Sequence, residues 1–325
     1  MSLIEQAAKR LEELRLAGVE VPEVAPIPAE EKADAPSTGE AATARMQATS
    51  AATSRRNRSA IGAVPSASRP PATPAPDDPR VVHLDLAHLA AKGIVTPDAP
   101  RAQMADEFRV IKRPLITNAT GKGAAPIRNG NLIMVTSALP GEGKSFTAVN
   151  LAMSIAMELD HTVLLVDADV ARPSVPAMLG LPATRGLLDV LVDDAVEVGE
   201  VMLKTNVEKL SVLLGGTQHP RATELLASDA MNRLLEELAS RYSDRIIVFD
   251  SPPLLVTTES RVLATHMGQV VVVVEAQKTQ QAAVRQALAA IEACPVKMMM
   301  LNKGRSAATG TYYGYGYGYG YGYGN

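Results

Sequence analysis

Six short runs of apolar residues recur in the second half of the chain: Leu132–Thr136, Thr162–Val166, Leu210–Leu214, Ile246–Phe249, Val270–Val274 and Met298–Leu301. Each is continuous, not alternating, which is the pattern of strands covered on both faces. Helical segments separate them, among them Ser145–Leu159, Thr223–Arg241 and Thr279–Ala293. Strands alternating with helices predict an α/β fold, a mostly parallel sheet flanked by helices. Such sheets bind ligands at the carboxyl ends of their strands.

The first run ends in Ala138-Leu139-Pro140-Gly141-Glu142-Gly143-Lys144-Ser145 and a helix opens there. This reads as a P-loop with alanine in place of the usual first glycine. A chance glycine-rich turn is the alternative, but strand, loop and helix stand in the required order. Gly141 and Gly143 let backbone N–H groups turn toward a polyphosphate, and the helix N-terminus adds the positive end of its dipole. Lys144 is expected to reach the β- and γ-phosphates of ATP and Ser145 to ligate Mg²⁺. Pro140, Gly141, Glu142, Gly143, Phe146 and Asp250 complete the expected nucleotide contacts.

Two more runs end in carboxylates at the same sheet edge. Ile246–Phe249 leads into Asp250, the Walker B position for a magnesium ligand or its bound water, and Thr162–Val166 leads into Asp167-Ala168-Asp169. One such carboxylate can simply cap a turn, but three exceed what capping needs. Phosphoryl transfer to tyrosine needs magnesium and an acceptor for the proton of a phenol with a pKa of ~10. Asp167 is assigned to the ion and the proton, Asp169 to assistance, and Asp250 to completing the magnesium shell with Ser145. Arg172 either neutralises phosphate charge or forms a structural pair with a carboxylate.

The acceptor is suggested by the last residues. Tyr312, Tyr313, Tyr315, Tyr317, Tyr319, Tyr321 and Tyr323 are seven of the eight tyrosines in the chain, and glycine follows each from Tyr313 on. Alternate glycines give the segment 305–325 no reason to pack as core. An inert low-complexity tail is the plain alternative. A base-stacking platform would be interleaved with Arg or Lys, and this repeat carries no charge. The net charge of −3 likewise argues against a nucleic-acid binder.

Ahead of the α/β pattern, residues 1–18 read as an amphipathic helix, with Leu3, Ile4, Ala7, Ala8, Leu11 and Leu14 on one face. Residues 19–79, rich in Ala, Pro, Ser and Thr, read as a disordered linker. Residues 80–130 form an extension with a helix from Ala102 to Lys112 that Pro114 stops. Residues 131–304 make the P-loop domain. A single cysteine, Cys294, fits a reducing compartment, and the five histidines lack metal-ligand spacing. No run reaches the ~18 to 20 apolar residues that span a bilayer. A cytoplasmic protein is expected, recruited to the inner membrane only through a partner.

Ala138–Ser145, Asp167–Pro173 and Asp250-Ser251-Pro252-Pro253 resemble the Walker A, A′ and B motifs of bacterial tyrosine kinases, P-loop enzymes of the MinD/ParA-like superfamily that carry a C-terminal tyrosine cluster. With the linker and Tyr-Gly tail, the chain looks most like the tyrosine autokinases of exopolysaccharide loci associated with the PEP-CTERM/exosortase system. The resemblance implies autophosphorylation in trans, assembly as rings, activation by the cytoplasmic part of a membrane polysaccharide copolymerase, and reversal by a protein-tyrosine phosphatase. The family's oligomerisation motif, Glu-x-x-Arg-x-x-Arg, falls here on Asp106, Arg109 and Lys112. Relatives often carry a basic residue two after the second Walker A′ aspartate, where this chain has Ala171. The strongest rival is a cell-division or partitioning ATPase, but its signature lysine position is Leu139 and it gives no reason for a tyrosine tail. A nucleotide-gated scaffold without transfer is the third reading.

Overall fold

In the computed structural model, residues 78–99, 103–242 and 244–304 are described. The expected N-terminal helix, almost all of the linker, and the tail with its seven tyrosines lie outside the described residues.

The elements in chain order are β1 (Val81–Val82), α1 (Leu86–Ala91), α2 (Gln103–Ala119), β2 (Leu132–Ser137), α3 (Lys144–Ala156), β3 (Thr162–Asp167), α4 (Val175–Leu179), α5 (Leu187–Val192), α6 (Val198–Val201), β4 (Leu203–Thr205), β5 (Leu210–Leu213), α7 (Ala222–Leu226), α8 (Asp229–Arg241), β6 (Arg245–Asp250), α9 (Glu259–His266), β7 (Gln269–Glu275), α10 (Gln281–Ala290) and β8 (Val296–Asn302). Among the described residues the strands form one eight-stranded sheet in the order β1-β4-β5-β3-β6-β2-β7-β8. Every neighbouring pair is parallel except β4 with β5. The expected α/β class is correct, and all six apolar runs are strands. The two strands without a sequence signal, β1 and β4, are two and three residues long.

The continuous apolar runs are explained by two cores. Leu132 and Met134 of β2 join a cluster with α5 to α10, whereas Ile133 and Val135 join a second cluster with α1 to α4. Strands β3, β6 and β7 divide their residues in the same alternating way. α3 lies deepest, with twelve of its residues buried, so it reads as apolar all round. β8 departs from the expectation. Its exposure alternates, and Met299 and Leu301 are 60% and 69% exposed. Its run of apolar residues does not mean cover on both faces.

Two helix expectations need correction. α2 runs through Pro114 to Ala119. The proline removes one hydrogen bond, to the Val110 carbonyl, but Val110 is 74% exposed, so water can reach that turn. Burial of Phe108 and Leu115 on the sheet side outweighs the loss. The expected helix Thr223–Arg241 is broken into α7 and α8, because Ser228 leaves the helical conformation and its hydroxyl accepts the Met231 N–H as an N-cap.

The structure places the three oligomerisation candidates in different settings. Lys112 is 4% exposed, and its ammonium reaches the Ser154 carbonyl at 2.5 Å and Glu158 at 2.7 Å. It caps the C-terminus of α3, where carbonyls lack helical partners and the dipole favours a cation. The Lys112 pair holds the Glu158 carboxyl below its usual range. Asp106 and Arg109 lie on the exposed side of α2 and pair with each other.

Candidate active site

β2 brings the chain to the carboxyl edge of the sheet, and residues 138–143 turn back over it into α3. Gly141 and Gly143 have φ values of 84° and 99°, left-handed backbone that side chains disfavour. At Gly143 space is limiting as well, since a Cβ would overlap the Asn302 side-chain amide. Glu142 is buried, and its carboxylate accepts the Leu139 N–H at 2.7 Å and the Thr279 hydroxyl. Asn302 donates to the Glu142 carbonyl at 2.9 Å. Lys303 donates to the Gly141 carbonyl at 2.7 Å and pairs with Glu275 at 3.3 Å. The end of β8 thus holds the loop by its carbonyls. The N-terminus of α3 has no side-chain cap, which leaves its N–H groups for an anion.

Lys144 lies across the carboxylates that close the site. Its ammonium is 2.7 Å from Asp169, 3.4 Å from Asp250 and 3.1 Å from the Ser145 hydroxyl. Burial disfavours that charge, but Asp250 and Asp169 together outweigh it and raise the lysine pKa. Asp167 and Asp250 are register partners on adjacent parallel strands, so both side chains leave the same face of the sheet. Both are fully buried. One Asp167 oxygen accepts the Val175 N–H at 3.2 Å. The other, and one oxygen of Asp250, have no hydrogen-bond partner among the described residues. Burial first, then the Asp250 and Asp169 charges, pushes Asp167 up to about 8, and burial likewise raises Asp250.

Two buried carboxylate oxygens without partners, beside the Ser145 hydroxyl, make a donor set suited to a hard divalent cation. Among the described residues no group of three or more His, Cys, Asp or Glu is arranged to hold a metal alone. A magnesium ion here would draw its remaining ligands from phosphate and water, as that ion prefers. Asp169 belongs to Lys144 in this arrangement and not to a three-carboxylate cage.

A cavity of ≈ 510 Å³ opens over these groups. Lys144, Ser145 and Asp169 line its polar part, and Phe146, Met178, Pro253 and Val256 its apolar part. Arg172 is exposed at the same cavity. Its N–H bonds the Asp169 carbonyl at 2.9 Å, and its guanidinium makes no ion pair among the described residues. Pro140, Gly141, Gly143, Lys144, Ser145, Phe146, Asp169 and Arg172 therefore meet in one cavity, with Asp167 and Asp250 in the same cluster beneath it. Glu142 organises the loop with its side chain and does not line the cavity. Sequence reasoning missed Thr279, Asn302 and Lys303 as the loop's outer fasteners. Asn302-Lys303 follow an apolar strand as Asp250 does, so the same strand-end rule finds them.

Residues 128–303 match the family described as ParA: NUBPL iron-transfer P-loop NTPase. Tyrosine-protein kinase YwqD of Bacillus subtilis (strain 168) is 31% identical over 224 residues, 69% of this chain and 90% of that protein. Succinoglycan biosynthesis transport protein ExoP of Rhizobium meliloti (strain 1021) is 30% identical over 60% of this chain but only 24% of its own length. The kinase domain of Escherichia coli tyrosine kinase ETK superposes with a TM-score of 0.57 at 28% identity, covering 68% of this chain and 84% of that one. The motifs, their geometry and these likenesses agree: the chain belongs to the bacterial tyrosine-protein kinases and carries a ParA-type P-loop NTPase domain.

Proposed function

We propose that this kinase transfers the γ-phosphoryl group of ATP, with Mg²⁺, to the tail tyrosines of a second copy, and that this transfer regulates exopolysaccharide synthesis or export. The observation that carries the reading is Asp167: a buried carboxylate with one unpartnered oxygen, in register with Asp250 beneath the P-loop. With the cation bound the Asp167 carboxylate would be ionised, and an oxygen it leaves free can then accept the phenolic proton.

Lys144 would exchange its carboxylate partners for the β- and γ-phosphates, while the N–H groups from Gly141 to Phe146 cradle them. Ser145, Asp167 and Asp250 would hold Mg²⁺, which when bound neutralises phosphate charge. Arg172 approaches the transferred group from the cavity mouth. The apolar wall of Phe146, Met178 and Val256 suits a phenol ring, and a ring seated there would displace water and favour transfer to tyrosine over hydrolysis. A free carboxylate oxygen of Asp167 takes the phenolic proton as the tyrosine oxygen bonds to phosphorus and ADP leaves.

The remaining assignments rest on the relatives. ExoP is named for succinoglycan transport. A membrane copolymerase whose cytoplasmic region activates this chain is the expected partner, with a phosphatase to reverse the mark. Among the described residues no helix is long and apolar enough to cross a membrane. Asp106 and Arg109, exposed on α2, are candidates for a ring contact; Lys112 is not.

The test is mass spectrometry of the chain incubated with ATP, Mg²⁺ and its activator, beside Lys144→Met. Phosphate on the tail tyrosines of the parent alone is expected. Hydrolysis without phosphotyrosine would favour a regulatory ATPase.

A further inference from the structure

The two edges of the sheet are unlike. One ends in β1, two residues long and too short to template another strand. The other ends in β8, seven residues long and carrying a single charge, Lys297. The Asn302 carbonyl accepts the Ala276 N–H at 2.8 Å, so the backbone of that residue faces β7. Backbone direction alternates along a strand in a parallel pair, so Lys297, Met299 and Leu301 turn their N–H and C=O groups away from the sheet. Their side chains are also the exposed ones. Beside Met299 and Leu301 runs a groove of ≈ 460 Å³ whose far wall is Val284, Arg285 and Leu288 of α10. A seven-residue edge that is open among the described residues, next to an apolar groove, is a binding surface for an extended chain.

The chain supplies such a segment itself. Residues 305–325 continue directly from the end of β8, and from Tyr313 to Tyr323 every second residue is tyrosine. Laid out as a strand, that repeat puts six phenol rings on one face and bare glycine on the other. Arg305–Thr311 is long enough to return the chain, after which Tyr313–Tyr319 matches the seven residues of β8 in antiparallel direction. The rings would lie on the thioether of Met299, on Leu301 and on the Arg285 guanidinium, contacts that aromatic rings favour. Glycine on the opposite face sets no side chain against the core.

We infer that the chain's own Tyr-Gly tail adds to β8 as a ninth, antiparallel strand, with its tyrosines in the groove beside α10. This goes beyond the proposed phosphoryl transfer and does not depend on it. The docked stretch is held away from any active site until it is released, so β8 becomes a store for unmodified tail.

The test is NMR-detected amide exchange without nucleotide, comparing the full chain with one ending at Gly304 and with a full chain carrying Met299→Asp and Leu301→Asp. Both substituted side chains are exposed, so the fold should tolerate them, and unchanged β2 amides serve as the control. The amides of Lys297, Met299 and Leu301 should exchange at least tenfold more slowly in the full chain than in the shortened one, and that of Lys297 at least tenfold more slowly than in the doubly substituted chain, at every protein concentration. Equal exchange in the full chain and the shortened one would overturn the proposal. So would protection that appears only as concentration rises, which would make the occupant a second copy. Phosphoryl transfer is not needed for either outcome, so failure of the kinase reading would leave this result standing.

Discussion

Replacing Asp167 by asparagine should stabilise the metal-free protein above neutral pH. The folded chain holds the Asp167 proton up to about pH 8, whereas an unfolded aspartate releases it near ~3.9. Between those values the native state binds more protons than the unfolded state, so stability falls as pH rises through the window. The slope contributed is about 1.4 kcal/mol per pH unit, which over roughly four units sets a ceiling near 5 kcal/mol. Asparagine keeps the shape and can still accept the Val175 N–H, but its amide cannot ionise beside Asp250. Lys144 loses one anionic neighbour, which reduces the gain to an expected ~2–3 kcal/mol at pH 8, or roughly 5–10 °C in Tm for a domain of this size. Thermal unfolding in EDTA at pH 5 and pH 8 measures it. The variant should melt above the parent at pH 8, with a much smaller difference at pH 5. A variant no more stable than the parent at pH 8, or an equal difference at both pH values, would refute the burial argument.

Gly143→Ala and Gly141→Ala separate strain from crowding in the P-loop. Both positions have left-handed φ, so each should lose about 1–2 kcal/mol in chemical denaturation, but only at Gly143 does a Cβ meet Asn302. Gly143→Ala should therefore cost more and weaken ADP binding at least tenfold further; equal losses would contradict the clasp by β8. Lys112→Met should lower the unfolding free energy of the chain at low protein concentration by about 1–2 kcal/mol, discounted because Glu158 is partly exposed. A change confined to assembly, with unaltered stability, would return Lys112 to the interface.

The sheet was legible because parallel strands between two helix layers must be apolar on both faces, a pattern visible in Leu132–Thr136 and Val270–Val274 without any tertiary information. β1 and β4 were not, because two or three residues at a sheet edge carry too few side chains to form a pattern. Met298–Leu301 shows the reverse: composition reads it as buried, and at the sheet edge the described residues leave Met299 and Leu301 uncovered. Pro114 misled because a local rule met a long-range one, the burial of Leu115. In the site, residues found by chemistry and spacing, from Gly141 to Ser145 with Asp167, Asp169 and Asp250, converge. The hidden part was which groups hold which. Glu142 turns inward to order the loop and Lys112 turns inward to cap α3, and in both cases the residue type alone fits a surface role equally well.

Transfer from one copy to the tail of another is put to the test by a mixing experiment. The chain ending at Gly304 has an active site without a tail, and Lys144→Met has a tail without a working active site. Incubated together with ATP, Mg²⁺ and the activator, they should place phosphate on the tail tyrosines of the Lys144→Met chain, at a rate proportional to the shortened chain. Phosphotyrosine that forms only in molecules carrying both an intact Lys144 and their own tail would contradict transfer in trans.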